Sequence, residues 1–449
     1  MKERTSMKYL KKVDPQIDKL IKQEKKRQET TLMMIPSENI ASEAVQEAVG
    51  SCLGNKYAEG YPNRRYYQGQ EFVDQIENIA IERAKEAFDV AEVNVQPLSG
   101  SPANLAVYFG LIKPGDKIVG LDLAHGGHLT HGAKVSAVGH FFKPESYILG
   151  KNGKMDYDLI EKLVKRVKPK IIVAGITAYS LKLNWKRFAE IADSVGAYLM
   201  ADIAHLAGLV AAGVYPSPAP YVHVITTTTH KTLRGPRGAM IMTTRKGLKK
   251  DPDLAKKIKK AVFPGLQGGP HMNAIAGIAI ALKEAKTARF KKVCQQVVDN
   301  CKVLAEELKK MDYNVVSGGT ETHLALIDLS NKKVIGNLAA EALERAGIVL
   351  NRNSVPFDQN PPFYPSGIRL GTPGLTSRGM KIAQMKKVAK FMDRVISDVA
   401  RIKEEKGITL QQEKKKVFRK EIINKSKEVK AVRKEVAALC KKFPVIKEY

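Results

Sequence analysis

Cysteine and tryptophan are scarce in this chain. Its 449 residues include four cysteines and one tryptophan, too few cysteines for a disulfide framework, and no two of them form a Cys-x-x-Cys pair. Cys294 and Cys301 lie seven residues apart in a helical stretch, which fits one buried face better than a metal site. We therefore expect free thiols and a reducing, cytoplasmic compartment.

Long apolar runs are also missing. No run approaches the ~20 residues that a membrane-spanning helix needs. Residues 1–12 are charged and lack an apolar centre, which is not the pattern of a secretory signal. We expect no membrane partner.

Acidic residues are outnumbered. The chain has 75 Lys and Arg against 46 Asp and Glu, a net charge of +29. Either a nucleic-acid surface or a solvated basic coat would explain the excess. Because it is spread through Lys-rich stretches such as 249–260 and 414–442, without a recognised nucleic-acid motif, we favour the solvated coat and expect no specific nucleic-acid partner.

The length exceeds what one hydrophobic core usually serves, so we predict two main domains plus extensions. Residues 1–30 form a charged helical arm, whose main helix starts at Pro15 after Asp14. Residues 31–290 form a large domain, including an irregular binding and subunit-contact loop at 31–70. Residues 291–449 form a smaller α+β domain with a basic helical tail.

Strands and helices alternate in the large domain. Predicted helices include 72–88, 103–112 and 185–195, and the predicted strands are 93–95, 117–121, 171–174, 197–201, 222–226 and 239–243. This alternation indicates a mainly parallel α/β sheet. Binding sites in such sheets lie beyond the carboxyl ends of the strands.

Two segments suggest a cofactor. An apolar strand leads into four threonines, His230 and Lys231, and a Gly/Pro turn follows. A lysine in a dry site can act as an amine nucleophile. About thirty residues earlier, Asp202 ends another buried strand. It could cap a helix or pair with a pyridinium nitrogen, and its occurrence with the Lys231 segment favours the second role.

Other motifs fit the same interpretation but are weaker alone. Ser99-Gly100-Ser101 joins a strand to a helix start, where backbone N–H groups favour a phosphate. Arg369 in the second domain could grip a carboxylate in a bidentate manner. The loop around Tyr57 and Glu59 could transfer protons or contact another subunit.

Three histidines, His125, His128 and His131, lie close together in a loop. They suggest a metal at first sight. The spacing lacks the pattern of a zinc-binding helix, and the two glycines between His125 and His128 favour close approach of a flat ring instead. We predict no metal site.

Taken together, these segments closely resemble serine hydroxymethyltransferase, from about residue 32 to about residue 373. The matching strings include Asn55-Lys-Tyr-Ala-Glu-Gly-Tyr-Pro62, Leu123-Ala-His-Gly-Gly-His-Leu-Thr-His-Gly132 and the segment from Thr226 to Pro236. The resemblance implies a fold-type-I pyridoxal-phosphate transferase, an α/β fold with a seven-stranded type of sheet. It also implies a homodimer, possibly a tetramer, that interconverts serine and glycine with a reduced pterin.

The resemblance also implies individual roles. Lys231 would hold pyridoxal 5′-phosphate as a Schiff base, and the other implied cofactor contacts are Ser99, Gly100, Ser101, His128, Thr177, Asp202, His205 and His230, with Tyr57, Gly268 and Gly269 reaching in from the neighbouring subunit. The implied catalytic residues besides Lys231 are Glu59, His128, Tyr67 and Thr228. The implied substrate contacts are Ser37, Arg369, Glu59 and Tyr67 for the amino acid, with Leu123, Gly127, Leu129 and Asn353 for the pterin.

Three positions depart from the family pattern, since Pro36, Arg234 and Leu266 stand where smaller residues are common. Two alternatives stay open: a pterin-independent aldolase of the same fold, resembling threonine aldolase, and an inactive scaffold that binds RNA. The carrier is either tetrahydrofolate or tetrahydromethanopterin.

Overall fold

The structure is a computed structural model that describes residues 8–445. Its strands are β1 (Leu32–Met33), β2 (Gly60–Tyr61), β3 (Arg64–Arg65), β4 (Glu92–Asn94), β5 (Lys117–Leu121), β6 (Lys143–Tyr147), β7 (Ile171–Gly175), β8 (Tyr198–Asp202), β9 (Val224–Thr228), β10 (Ala239–Thr243), β11 (Asn314–Val315), β12 (Leu324–Asp328), β13 (Ile348–Val349), β14 (Asn351–Asn353) and β15 (Gly367–Gly371).

The helices connect and cover these strands. They are α1 (Lys8–Val13), α2 (Pro15–Thr30), α3 (Glu43–Val49), α4 (Glu71–Phe88), α5 (Gly100–Leu111), α6 (Ala137–Phe141), α7 (Tyr157–Val167), α8 (Trp185–Ser194), α9 (Ala207–Ala211), α10 (Arg245–Lys250), α11 (Leu254–Lys260), α12 (Met272–Ala285), α13 (Ala288–Lys310), α14 (Gly336–Arg345), α15 (Pro373–Ser377), α16 (Ile382–Glu405), α17 (Leu410–Glu413), α18 (Lys416–Lys425) and α19 (Lys427–Lys442).

The large sheet has seven strands in the order β4-β10-β9-β8-β7-β5-β6. The pairs β9-β8, β8-β7, β7-β5 and β5-β6 are parallel, whereas β10 runs antiparallel to both of its neighbours. The predicted mainly parallel α/β sheet is confirmed. The reversed direction of β10 and the edge strand β6 were not predicted.

Both faces of this sheet are buried, which explains the continuous apolar runs of its central strands. Successive residues of a strand point to opposite faces. Accordingly, Ile171 and Val173 pack in one apolar cluster while Ile172 and Ala174 pack in another. Helices cover both clusters, so polar side chains collect at the ends of the strands.

A second sheet has the antiparallel order β11-β12-β15-β14 and a core of its own. Helix α13 connects the two cores, because Cys294 packs in the large-sheet cluster and Cys301 in the second. Both cysteines are buried free thiols, as predicted. Leu32 and Met34 also pack in the second core, where β1 pairs in parallel with β13.

The N-terminal arm and the basic tail meet at one buried arginine. The side chain of Asp14 accepts a hydrogen bond from the backbone N–H of Ile17 and caps α2, as predicted. Arg378 is 1% exposed and donates to backbone carbonyls at the C-terminal ends of α2 and α19, namely those of Gln28, Glu29, Thr31, Cys440 and Phe443. None of the helices described between residues 8 and 445 is long and apolar enough to cross a membrane.

Candidate active site

A cavity of about 990 Å³ opens at the carboxyl ends of the central strands, where α/β sheets bind their ligands. Asp202 is the last residue of β8 and Thr228 the last of β9. Twelve of the predicted site residues line this cavity: Ser37, Ser99, Gly100, Ser101, His128, Thr177, Asp202, His205, Thr228, His230, Lys231 and Arg369.

Lys231 presents a free amine to the cavity. Its backbone has a φ of +61°, and Asn39 Nδ2 donates to its carbonyl oxygen over 3.0 Å. Burial lowers the pKa of Lys231 to about 8, and the nearby charges of Arg369 and Arg237 act in the same direction against the attraction of Asp202. At pH 7 about a tenth of this amine is unprotonated and nucleophilic, a far larger share than in an ordinary lysine.

Asp202 is buried as a carboxylate. Its Oδ2 accepts hydrogen bonds of 2.9 Å each from Asn104 Nδ2 and His131 Nε2, and its Oδ1 accepts one from the backbone N–H of Ala204. Burial alone would raise its pKa, but the hydrogen bonds from His131 and Asn104 outweigh burial and lower the pKa. The cavity therefore contains a fixed negative charge.

His131 had no predicted role of its own, although the sequence drew attention to its loop. Its Nδ1 accepts the backbone N–H of His128 over 3.1 Å, so the ring proton lies on Nε2 and is donated to Asp202. His125 Nδ1 accepts from the backbone of Leu149, and His128 Nδ1 lies 2.8 Å from Thr130 Oγ1. Among the residues described, no group of three or more His, Cys, Asp or Glu could hold a metal ion.

The N-terminus of α5 lines the cavity. Ser99 is its N-cap residue but makes no side-chain capping bond, so the hydroxyl and the first backbone N–H groups are available to a ligand. Gly100 is required here, because a Cβ at this position would lie 2.9 Å from Cγ2 of Thr228. Glycine thus allows α5 to approach β9 closely.

Arg369 is a buried cation that no carboxylate neutralises. It is 8% exposed, donates to the carbonyl oxygen of Thr177 over 2.6 Å and to Asn351 Oδ1 over 3.2 Å, and forms no ion pair with any described residue. Burial lowers its pKa to about 10. A buried arginine with only neutral acceptors is suited to a ligand carboxylate.

Burial keeps three histidines of the cavity neutral, namely His128, His205 and His230. Burial lowers the pKa of His128 to about 4 and that of His230 to about 3, and it lowers the pKa of His205 strongly. Two residues that the sequence analysis missed contact this group: His323, whose Nε2 lies 3.1 Å from His205 Nδ1, and Arg237, whose Nη1 lies 3.2 Å from His230 Nε2.

The remaining predicted residues lie outside this cavity in the single chain. Tyr57, Glu59 and Tyr67 form an exposed cluster, in which Glu59 accepts from Tyr57 over 3.4 Å and from Tyr67 over 3.1 Å. Gly268 and Gly269 lie against it, since a Cβ at Gly269 would be 3.3 Å from the Tyr57 ring. We call these five residues the tyrosine–glutamate cluster.

The four predicted pterin contacts also lie outside the cavity. Leu123 and Leu129 are exposed, and Asn353 is the last residue of β14. Gly127 has a structural reason to be glycine, because a Cβ there would lie 1.9 Å from the carbonyl oxygen of Leu121.

The three positions that depart from the family pattern have different surroundings. Arg234 is buried, with a φ of +61°, 3.6 Å from a carboxylate oxygen of Glu284. Pro36 packs against the backbone of Gly371, and Leu266 is partly exposed. Only Arg234 of these three lines the cavity wall.

Residues 10–392 match the family described as serine hydroxymethyltransferase. The chain belongs to this family. A serine hydroxymethyltransferase from Desulfotalea psychrophila is 53% identical over 439 residues, which cover 98% of this chain and 96% of that protein. One from Acidothermus cellulolyticus is 54% identical over 393 residues, 87% of this chain and 90% of that protein. The resemblance, the fold-type-I class and the activity of serine–glycine interconversion are thereby confirmed at the level of the family.

Proposed function

We propose that this chain interconverts serine and glycine with pyridoxal 5′-phosphate bound at Lys231 and Asp202. The cavity is the main support for this proposal. It is lined by a lysine amine, an ionised aspartate, a helix N-terminus and an arginine that forms no ion pair with any described residue. These groups match the aldehyde, ring nitrogen and phosphate of the cofactor and the carboxylate of an amino acid. Pyridoxal phosphate would supply an electron sink for breaking the Cα–Cβ bond of serine.

Other groups of the cavity would bind the amino-acid carboxylate and the phosphate and would transfer a proton. Arg369 and Ser37 would orient the amino-acid carboxylate, and the backbone N–H groups at Ser99 to Ser101 would bind the phosphate. Lys231 would accept and return a proton at its Nζ, because its pKa of about 8 lies near neutral pH. The ionised Asp202 would keep the ring nitrogen protonated.

We also propose that a second copy of the chain completes the site. The tyrosine–glutamate cluster lies outside the Lys231 cavity of its own chain, and its aromatic side chains are exposed: Tyr57 by 58% and Tyr67 by 45%. In a homodimer, Glu59 would reach the serine hydroxyl and the reduced pterin from the neighbouring subunit. The carrier would be tetrahydrofolate or tetrahydromethanopterin.

The separate apolar cores of the two sheets support the proposed division into a large domain at 31–290 and a smaller one at 291–449. The four free cysteines support a cytoplasmic location for the enzyme.

The first experiment tests the cofactor. The purified protein is expected to take up pyridoxal phosphate, and borohydride reduction is expected to fix the label on Lys231. Lys231→Ala abolishes this label. Lys168→Ala is the matched control, because Lys168 also has a positive φ, of +49°, but ends α7 on the surface. A colourless protein that does not bind pyridoxal phosphate would contradict the proposal.

The second experiment tests the pterin. Serine cleavage is measured with and without tetrahydrofolate, and with tetrahydromethanopterin. A strong dependence on either pterin supports the proposal, whereas equal rates without a pterin indicate the aldolase alternative. Glu59→Gln should retain pyridoxal phosphate and lose the pterin-dependent turnover.

The third experiment tests the shared site by mixing two inactive variants, Lys231→Ala and Glu59→Gln. If Glu59 acts on the cavity of the neighbouring chain, each mixed dimer has one intact site. Random assortment into dimers then restores about a quarter of the wild-type activity. If Glu59 acts on its own chain, the mixture stays inactive.

A further inference from the structure

We propose that His323 is a positioning residue that holds His205 in the tautomer carrying its proton on Nε2, directed into the cavity. His323 comes from the start of the second sheet, and no motif of the sequence pointed to it. The tautomer can be tested in the chain alone, while its consequence for catalysis rests on the proposed function.

The two imidazoles are joined edge to edge. His205 Nδ1 lies 3.1 Å from His323 Nε2, and the rings are inclined by only 29°, with centroids 5.4 Å apart. The centroid separation exceeds the nitrogen–nitrogen distance by about the two ring radii, so the contact lies along the ring planes. This is the geometry of an N–H···N hydrogen bond rather than of face-to-face stacking.

Both rings are neutral. His323 is fully buried and His205 nearly so. Burial is the main reason why the pKa of His323 falls to about 3, and the charges of Arg369 and Lys231 add to it. The same two cations and burial lower the pKa of His205. Each ring therefore carries one proton, and a single proton lies between them.

The other ring nitrogen of His323, Nδ1, determines where that proton lies. It is buried and has no hydrogen-bond partner among the described residues. If His205 donated, His323 would carry its proton on this Nδ1 as a buried, unpaired N–H group. Unpaired buried donors are rarer than unpaired acceptors, so His323 donates through Nε2 and leaves only a lone pair on Nδ1.

His205 must then carry its own proton on Nε2. This nitrogen has no hydrogen-bond partner among the described residues, and the ring lines the cavity. The backbone behind it is fixed, because the carbonyl oxygen of His205 accepts from Thr232 Oγ1 over 3.0 Å. His205 thus offers a fixed N–H donor to an anionic ligand oxygen, such as the ring oxygen of the proposed cofactor.

The tautomer is measured by two-bond ¹H–¹⁵N NMR of histidine-labelled protein without cofactor. Wild-type His205 is expected to show Nε2–H, with the shared proton bonded to His323 Nε2. His323→Leu should abolish the preference and give both tautomers, and His323→Gln should restore it through its amide donor. His223→Leu is the matched control, a buried histidine that bonds the backbone of Leu199 instead.

Nδ1–H on wild-type His205, or an unchanged Nε2–H in His323→Leu, would overturn the inference. The wild-type measurement decides the direction of the bond even if the leucine variant does not fold. In the loaded enzyme, His323→Leu should lower kcat/KM for serine by about ten- to a hundredfold, the effect of one hydrogen bond to a charged group, with recovery in His323→Gln. If pyridoxal phosphate does not bind while the NMR result holds, the proposed function fails and the tautomer assignment stands.

Discussion

Two buried arginines, Arg369 and Arg378, should respond differently to the same substitution. Arg369 faces the cavity and donates to two neutral oxygens, whereas Arg378 donates to five backbone carbonyls at the ends of α2 and α19. If Arg369 binds a ligand and Arg378 stabilises the fold, Arg369→Met should lose ligand binding and Arg378→Met should lose stability.

The structure sets the expected magnitudes. Burial lowers the pKa of Arg369 from 12.5 to about 10, so the folded protein disfavours its charge by about 3 kcal/mol. Arg369→Met removes that penalty but leaves two acceptors without a donor, at about 1–3 kcal/mol each. The free energy of unfolding should therefore change by no more than about 3 kcal/mol. Arg378→Met leaves five carbonyls unpaired and should lose about 5 kcal/mol or more.

Urea unfolding of the cofactor-free variants measures both values. Serine is then added to the loaded proteins, where a concentration of 100 Kd stabilises a binding protein by about 2.7 kcal/mol. Wild type and Arg378→Met should show this gain, and Arg369→Met should not. If Arg369→Met loses as much stability as Arg378→Met, or keeps the serine effect, Arg369 is structural and the carboxylate binds elsewhere.

Three further outcomes follow from the cavity. The rate of pyridoxal phosphate uptake should rise about tenfold per pH unit and level off above pH ~8, because only the neutral amine of Lys231 reacts; stopped-flow absorbance would show a continued rise toward pH 10 if the lysine were unperturbed. Gly100→Ala should weaken cofactor binding at least tenfold by forcing α5 away from Thr228, measured by equilibrium titration against Gly50→Ala, where φ is −85° and the nearest atom to a Cβ lies at 3.5 Å. Asn39→Ala should slow uptake severalfold, because it releases the carbonyl of Lys231, and unchanged uptake kinetics would contradict this role.

The apolar patterns predicted most of the sheet because its central strands are buried on both faces. The edge strand β6 was missed, since Lys143–Tyr147 includes a proline and two charged residues, and an edge strand needs few apolar side chains. The antiparallel direction of β10 could have been predicted from the length of the connection that precedes it. Only ten residues, 229–238, separate β9 from β10, which is shorter than a parallel crossover usually requires.

Side chains that act through long-range contacts could not be predicted from one sequence. Asn39 lies 192 residues from Lys231 and His323 lies 118 residues from His205, so no local spacing links the partners. His131 was visible in the loop with His125 and His128, but its target Asp202 became clear only from the fold. Local motifs therefore predicted side chains that line the cavity, and the fold revealed the groups that hold them in place.

The sequence suggests one site, whereas the tyrosine–glutamate cluster and the Lys231 cavity lie apart in a single chain. The segment around Glu59 and the segment ending at Lys231 both carry groups suited to catalysis, yet the tyrosine–glutamate cluster does not line the cavity of its own chain. The carboxylate of Glu59 is half-buried, and a second surface that excluded water from it would strengthen its interactions with neighbouring groups. Two exposed tyrosines held against this glutamate therefore support the proposal that the cluster meets the cavity of a second copy.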